Sequence, residues 1–159
     1  MKRATFLSLA AGTGAFAVYR TIASAPADAA LYPVRHSDAQ WLRILGRERY
    51  WILREGGTEQ PFSSPLNEER RAGIYHCAGC ALALFDSRTK YDAGEGWPSF
   101  WDVLPRTILE RGDYELVAPR TEVHCRRCGG HLGHVFNDGP PPTHLRYCID
   151  GLALRFVPA

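Results

Sequence analysis

The sequence predicts a mainly β protein, two antiparallel sheets in a sandwich or barrel-like fold behind a short N-terminal helix. Three observations carry that expectation. Short runs of β-forming residues begin at Ile74 and are broken by Gly, Pro, Asp and Asn, the punctuation of an antiparallel fold. One stretch with helical periodicity precedes them. Two Cys-x-x-Cys pairs, Cys77 with Cys80 and Cys125 with Cys128, fall within the β-rich part.

The chain has 159 residues, 45% of them hydrophobic, enough for one domain with its own core. It opens with Lys2 and Arg3, an apolar run from Phe6 to Val18, and small residues ending in ASA and ADA. That order predicts a secretory signal over residues 1–30, cleaved after Ala25 or Ala29, with the domain over residues 31–159. The run is too short to span a bilayer comfortably, and an uncleaved anchor flanked by Arg20 is the alternative. KRATFL is similar to a twin-arginine export signal, except that Ala4 stands where its second arginine belongs. The location expected is therefore outside the cytoplasm, in a bacterial periplasm, or membrane-anchored if the signal persists.

Removing residues 1–30 takes away three of 19 basic and one of 17 acidic residues, which leaves 16 of each. A formally neutral domain speaks against a nucleic-acid or acidic-membrane surface, and against a zinc ribbon that binds nucleic acid. The domain is expected to be a monomer.

The helix is expected from Ser37, an N-cap with Gln40 completing a capping box, and its Trp41, Leu42 and Leu45 should face the core. GTEQPFSSPLNEERRAG reads as an extended connecting loop. The strand candidates follow as IYHC, LALFDS, YELVAP, TEVHC, HVFND and LALRFV.

Each Cys-x-x-Cys pair sets two sulfurs on one tight knuckle. Two knuckles make a four-thiolate site for one tetrahedral zinc ion, Cys77, Cys80, Cys125 and Cys128, with no position left open for water or substrate. Such a site is structural. The 44 residues between the pairs exceed a zinc-ribbon gap, so the knuckles should come from distant strands that the metal joins. Disulfides within each pair, or a redox Cys-x-x-Cys, are the competing readings.

Cys148, in HLRYCIDG, is the odd cysteine. In an extended strand Arg146, Cys148 and Asp150 share one face. A guanidinium there favours the thiolate, whereas a carboxylate opposes it. A buried core cysteine is the plainer alternative. His131 and His134, three residues apart, would point to opposite sides of a regular strand, but a bulge at Gly133 could bring both to one side, where imidazoles could move protons. GEGWPSFW sets Trp97 between glycines and a proline, a stiff loop that could hold an indole at a pocket edge.

YHCAGCALALFDSRTKYDAGEGWPSFW, TEVHCRRCGGHLGHVFNDGP and RYCIDGLALRF resemble, in order, the signature blocks of the peptide-methionine (R)-S-oxide reductases, the B-type methionine sulfoxide reductases. The resemblance covers roughly residues 37–157, including the lead-in ERYWILREGGTEQPFSSPL. It implies a β-rich fold with one structural zinc on the two cysteine pairs and reduction of oxidised methionine residues in proteins or peptides. Cys148 is implied as the attacking thiol, with Trp97 and Phe136 contacting substrate and His131, His134, Arg146 and Asp150 around the reaction. The thiol would take the sulfoxide oxygen as a sulfenic acid, and a thiol reductant would restore it.

Three positions depart from the pattern. Glu95 occupies the place of a resolving cysteine, so repair is expected from an external thiol or a thioredoxin-like protein. Asp150 stands where Asn is usual, and a carboxylate there should raise the pKa of Cys148. His144 replaces a glycine in the TGLRYC pattern. A zinc-stabilised binding module without catalysis, or a peroxide-reactive thiol protein, are the rival functions.

Overall fold

The computed structural model describes residues 32–114 and 119–159. The expected signal segment lies outside them, as do residues 115–118 within the YELVAP run.

The helix, α1 (Asp38–Glu55), starts as the sequence requires: Ser37 Oγ accepts from the Gln40 amide, and Gln40 Oε1 accepts from the Ser37 amide. It spans 18 residues and bends at Gly46, which leaves helical geometry at φ 72°. Gly56 ends it in the left-handed region. Trp41 and Leu45 are buried, one turn apart on one face, with Ile52 and Leu53 beyond the bend. Leu42, expected in the core, is 41% exposed because one residue of helix turns it about 100° away from Trp41.

Nine strands follow among the described residues, β1 (Gly73–Cys77), β2 (Ala83–Asp86), β3 (Lys90–Tyr91), β4 (Ser99–Phe100), β5 (Ile108–Asp113), β6 (Arg120–Cys125), β7 (His131–Phe136), β8 (Arg146–Ile149) and β9 (Leu154–Pro158). They form two sheets, ordered β2-β1-β9 and β3-β4-β8-β7-β6-β5, and every pairing is antiparallel. The runs IYHC, LALFDS, TEVHC, HVFND and LALRFV each contribute to a strand; ILERGD, with three charged residues and a glycine among its six, is an edge strand that carries no apolar alternation. Between the sheets lie Tyr75, Phe85, Phe100, Leu84, Ile149 and Leu154, none with measurable exposure. Phe85 stacks on Phe100 at 4.4 Å, and Tyr75 meets Phe100 edge-on at 4.9 Å. Among the described residues no helix is long and apolar enough to cross a membrane.

The two cysteine knuckles are matching hairpin turns, one at the end of β1 and one between β6 and β7. In the first, the Cys77 amide bonds Leu82 O and the Ala81 amide bonds Cys77 O; in the second, Cys125 bonds Gly130 O and Gly129 bonds Cys125 O. Ala81 and Gly129, at equivalent places, both take positive φ, 58° and 68°. One knuckle thus belongs to each sheet. The end of α1 is tied to them too, since the Arg54 guanidinium donates to Cys128 O at 2.9 Å and lies over the Trp41 ring.

Candidate active site

Cys148 sits in β8, near the middle of the six-stranded sheet, directly opposite Ser99 on β4 and His134 on β7. Residues opposed in antiparallel strands share a face, so Tyr91, Ser99, Cys148, His134, Glu122 and Arg111 form a row across the sheet. Phe136 and Arg146 form the next paired position on that face.

The expected bulge brings the two histidines together. Val123 pairs with Gly133 and His124 with His131, so β7 carries Leu132 as an extra residue. His131 therefore lands on the face of His134, with ring centroids 5.5 Å apart. Gly133 is required at the bulge: its φ is 145°, and a Cβ there would lie 2.1 Å from the carbonyl oxygen of Cys148.

Each histidine is held by a carboxylate that sequence reasoning did not single out. His131 Nδ1 is 2.7 Å from Glu122 Oε1, and Glu122 also accepts from Arg111. Burial would raise the Glu122 carboxyl, but the bonds from His131 and Arg111 outweigh it and hold the group down at about 2. An ionised Glu122 fixes the proton of His131 on Nδ1. His134 Nε2 is 2.8 Å from Asp113 Oδ2, itself paired with Arg120 at 2.6 Å. Burial, ahead of the Asp113 bond that opposes it, lowers the pKa of His134. The strand register makes these carboxylates findable, because Glu122 is paired with His134; their spacing in sequence does not.

Asp150 lies one residue past β8, at the head of a 3-10 turn over Gly151–Ala153, and not within the strand as the alternation from Cys148 implied. Its Oδ1 accepts from the Glu59 amide at 2.9 Å, and its Oδ2 is 3.8 Å from His131 Nε2, a buried nitrogen with no hydrogen-bond partner. Burial pushes the Asp150 carboxyl up to about 7, against the lowering effects of the Glu59 amide and His131.

Glu59 is 5% exposed and ties three segments together. Its carboxylate accepts from the amides of Gly151 and Leu152, its own amide donates to Asp150, and its carbonyl accepts from the Trp97 indole at 3.1 Å. The glycine and proline around Trp97 set the loop, but this bond sets the indole. In the sequence Glu59 is one polar residue of a connecting loop, and a buried carboxylate there leaves no periodic signal.

Arg146 is almost fully buried and is clamped by two carboxylates, Asp138 through both oxygens at 2.8 Å and Glu95 at 2.6 Å. Its guanidinium also covers the Phe136 ring at 4.4 Å. Burial pushes the Cys148 thiol up to about 11; Arg146 pulls it down, and Glu95 and Asp150 add to the rise. The opposing effects of Arg146 and Asp150 match the sequence expectation, and burial exceeds both.

The remaining four cysteines converge elsewhere. Their sulfurs all lie within 4.8 Å of one another, with Cys77 to Cys128 at 3.7 Å and Cys80 to Cys125 at 3.5 Å. A disulfide needs about 2.05 Å, whereas thiolates about 2.3 Å from one tetrahedral ion sit roughly 3.8 Å apart. The geometry suits four thiolates around one metal ion and suits no disulfide.

Residues 45–158 match the SelR domain model. The chain belongs to the SelR domain family. Three relatives illustrate the match, each described as peptide methionine sulfoxide reductase MsrB. The chain is 52% identical to the Agrobacterium fabrum protein over 79% of this chain and 93% of that one. It is 52% identical to a Pseudomonas putida protein over 75% and 92% of the two chains, and 48% identical to the Leptospira interrogans protein over 79% and 96%. The SelR match spans the site from end to end, Glu59 and Trp97 through Asp150, together with all four clustered cysteines.

Proposed function

We propose that this SelR-family chain reduces methionine (R)-sulfoxide, in proteins or peptides, to methionine through a sulfenic acid on Cys148. The observation that carries the reading is Cys148 placed opposite His134 on the sheet face where the β7 bulge also gathers His131, with Arg146 two residues along. The MsrB relatives at about 50% identity supply the substrate class.

The protons can be followed. His134 donates Nε2–H to Asp113, which leaves Nδ1 free to accept the thiol proton as Cys148 attacks the sulfoxide sulfur. His131 keeps Nδ1–H on Glu122, and its unpartnered Nε2 lies 3.8 Å from Asp150 Oδ2, whose carboxyl, pushed up to about 7, carries a proton near neutral pH. That proton goes to the sulfoxide oxygen. The S–O bond to methionine breaks as the oxygen passes to Cys148, the sulfur–sulfur bond made in the attack breaks with it, and methionine leaves with Cys148 as S–OH. Trp97, fixed by Glu59, and Phe136, under Arg146, serve as the apolar walls for the methyl and side chain.

The other four cysteines of the chain are gathered in the cluster, so the sulfenic acid is resolved by an external thiol: attack releases water and leaves a mixed disulfide, and a second thiol, or the second cysteine of a thioredoxin-like partner, frees Cys148. Cys77, Cys80, Cys125 and Cys128 would hold one zinc ion, and its role would be structural because all four donors are protein thiolates. The basic, apolar and small-residue order of residues 1–30 supports export to a periplasm, which the N-terminal mass of the secreted product would check.

The test uses separate R and S epimers of a blocked methionine sulfoxide, with dithiothreitol, on the zinc-loaded protein and on Cys148→Ser. Turnover of the R epimer alone, absent in the variant, is expected. Failure of both epimers in a folded, zinc-loaded protein would refute the proposal. Sulfenic-acid trapping after one turnover tests the recycling route, and a prompt internal disulfide would overturn it.

A further inference from the structure

The phenol oxygen of Tyr91 is buried and has no hydrogen-bond partner. Such an orphan is uncommon, since leaving a buried hydroxyl unbonded is costly, and it calls for a cause such as a ligand or a functional role. Its place in the sheet identifies the ligand. Tyr91 pairs with Ser99, and Ser99 pairs with Cys148, so Tyr91 and Cys148 share a face two strands apart, roughly 10 Å between backbones. The residue between them is small, and Ser99 Oγ is turned away onto the Trp97 carbonyl at 3.2 Å. A phenol ring passing over Ser99 carries its hydroxyl toward Cys148, on the flank opposite His134. The charged groups within electrostatic reach of that hydroxyl are Arg146, Asp138, Cys148 and Glu95, the site cluster itself. Burial, the largest effect, raises the phenol pKa, so the group keeps its proton and can donate.

We infer that Tyr91 is a further catalytic residue, whose hydroxyl donates a hydrogen bond to the oxygen passed from methionine sulfoxide to Cys148. The inference rests on the reductase reading. With the histidines on one side of Cys148 and the phenol on the other, the oxygen is held from both flanks as it leaves methionine, and the phenol stays on the sulfenic oxygen until an external thiol displaces it as water. No proton need leave Tyr91 for this to work. In a chain whose other cysteines are committed to the cluster, a donor that shelters the sulfenic acid has a clear use.

Tyr91→Phe removes the hydroxyl alone. Single-turnover release of methionine from the R epimer should slow about tenfold, with KM little changed, because the bond strengthens as charge builds on oxygen. The trapped Cys148 sulfenic acid should also decay faster. Melting temperature should hold or rise, since an unpaired buried hydroxyl is removed, and that opposite sign separates a chemical role from a structural one. A variant with wild-type single-turnover rate and wild-type sulfenic lifetime overturns the inference while leaving the reductase reading intact. Wild-type protein that releases no methionine from either epimer overturns both.

Discussion

Asp150→Asn isolates the charge that the site carries at its edge. The Asp150 carboxyl is 3% exposed and its pKa is about 7, against about 3.9 in an unfolded chain. The folded state therefore binds the proton more tightly, and the linkage runs opposite to that of an ordinary salt-bridged aspartate. Its stabilising contribution is complete below about pH 4 and is lost as pH rises to about 7. Three units at 1.36 kcal/mol per unit set the full loss on the order of 4 kcal/mol, and the part between pH 5.5 and 7 at about 2 kcal/mol. Asparagine has no proton to lose. Its Oδ1 can keep the Glu59 amide, and its Nδ2 can face the unpartnered His131 Nε2.

Urea unfolding of wild type and Asp150→Asn at half-unit steps from pH 5.5 to 8.5 gives the comparison, and the four cluster cysteines are common to both proteins. Glu122 and His134 also titrate differently in folded and unfolded chains, but their contributions appear in both proteins and cancel in the difference. The advantage of the asparagine variant should grow by about 2 kcal/mol between pH 5.5 and 7 and then level off. Activity should not follow stability: Asp150 supplies the proton for the sulfoxide oxygen, so kcat should fall, while loss of a negative charge that raises the Cys148 thiol moves the ascending limb of the pH–rate profile to lower pH. A stability difference that stays flat across this range would refute the argument, because Asp150 would then be ionised in the fold without penalty.

Glu59→Gln leaves one amide oxygen for the two amides of Gly151 and Leu152, with an NH2 facing the other; a loss of about 2 kcal/mol in urea unfolding is expected, with kcat/KM falling as the indole and Asp150 loosen. Metal analysis should find one zinc per chain, and a strong chelator should lower the unfolding free energy by at least about 4 kcal/mol, since the two knuckles belong to different sheets. His144 holds φ at 59°, where glycine is at ease, so His144→Gly should stabilise by about 0.5–1 kcal/mol and raise the melting temperature by about 2–3 °C in calorimetry.

The parts legible in the sequence are those with local causes. Ser37 and Gln40 start the helix through atoms three residues apart, and each Cys-x-x-Cys pair closes a turn whose hydrogen bonds span five residues. The bulge at Gly133 was legible because two histidines at odd spacing made sense on one face only if the register slipped. What escaped is carried by long separations and by polar residues whose burial has no period. Glu59 meets Asp150 and Leu152 across more than 90 positions, and Glu95 meets Arg146 across 51. Tyr91 reaches the row of Cys148 only through a two-residue strand that no propensity would mark.

Glu95 shows how a single substitution within a shared fold changes the control of the thiol. In place of a second sulfur it adds a second carboxylate to Arg146, already paired through both nitrogens of its fork with Asp138. The guanidinium is spent on these partners, which limits how far it can favour a thiolate two residues away. Burial then prevails and Cys148 rests as the thiol, at about 11. A resting thiol is a poor nucleophile toward peroxide in solution. It becomes reactive when a bound sulfoxide brings an oxygen that can take a proton as His134 takes another, so the site ties ionisation to occupancy. On this reading the carboxylates around Arg146 trade intrinsic thiol reactivity for selectivity toward the bound substrate, which suits a chain whose other four cysteines are gathered in the cluster.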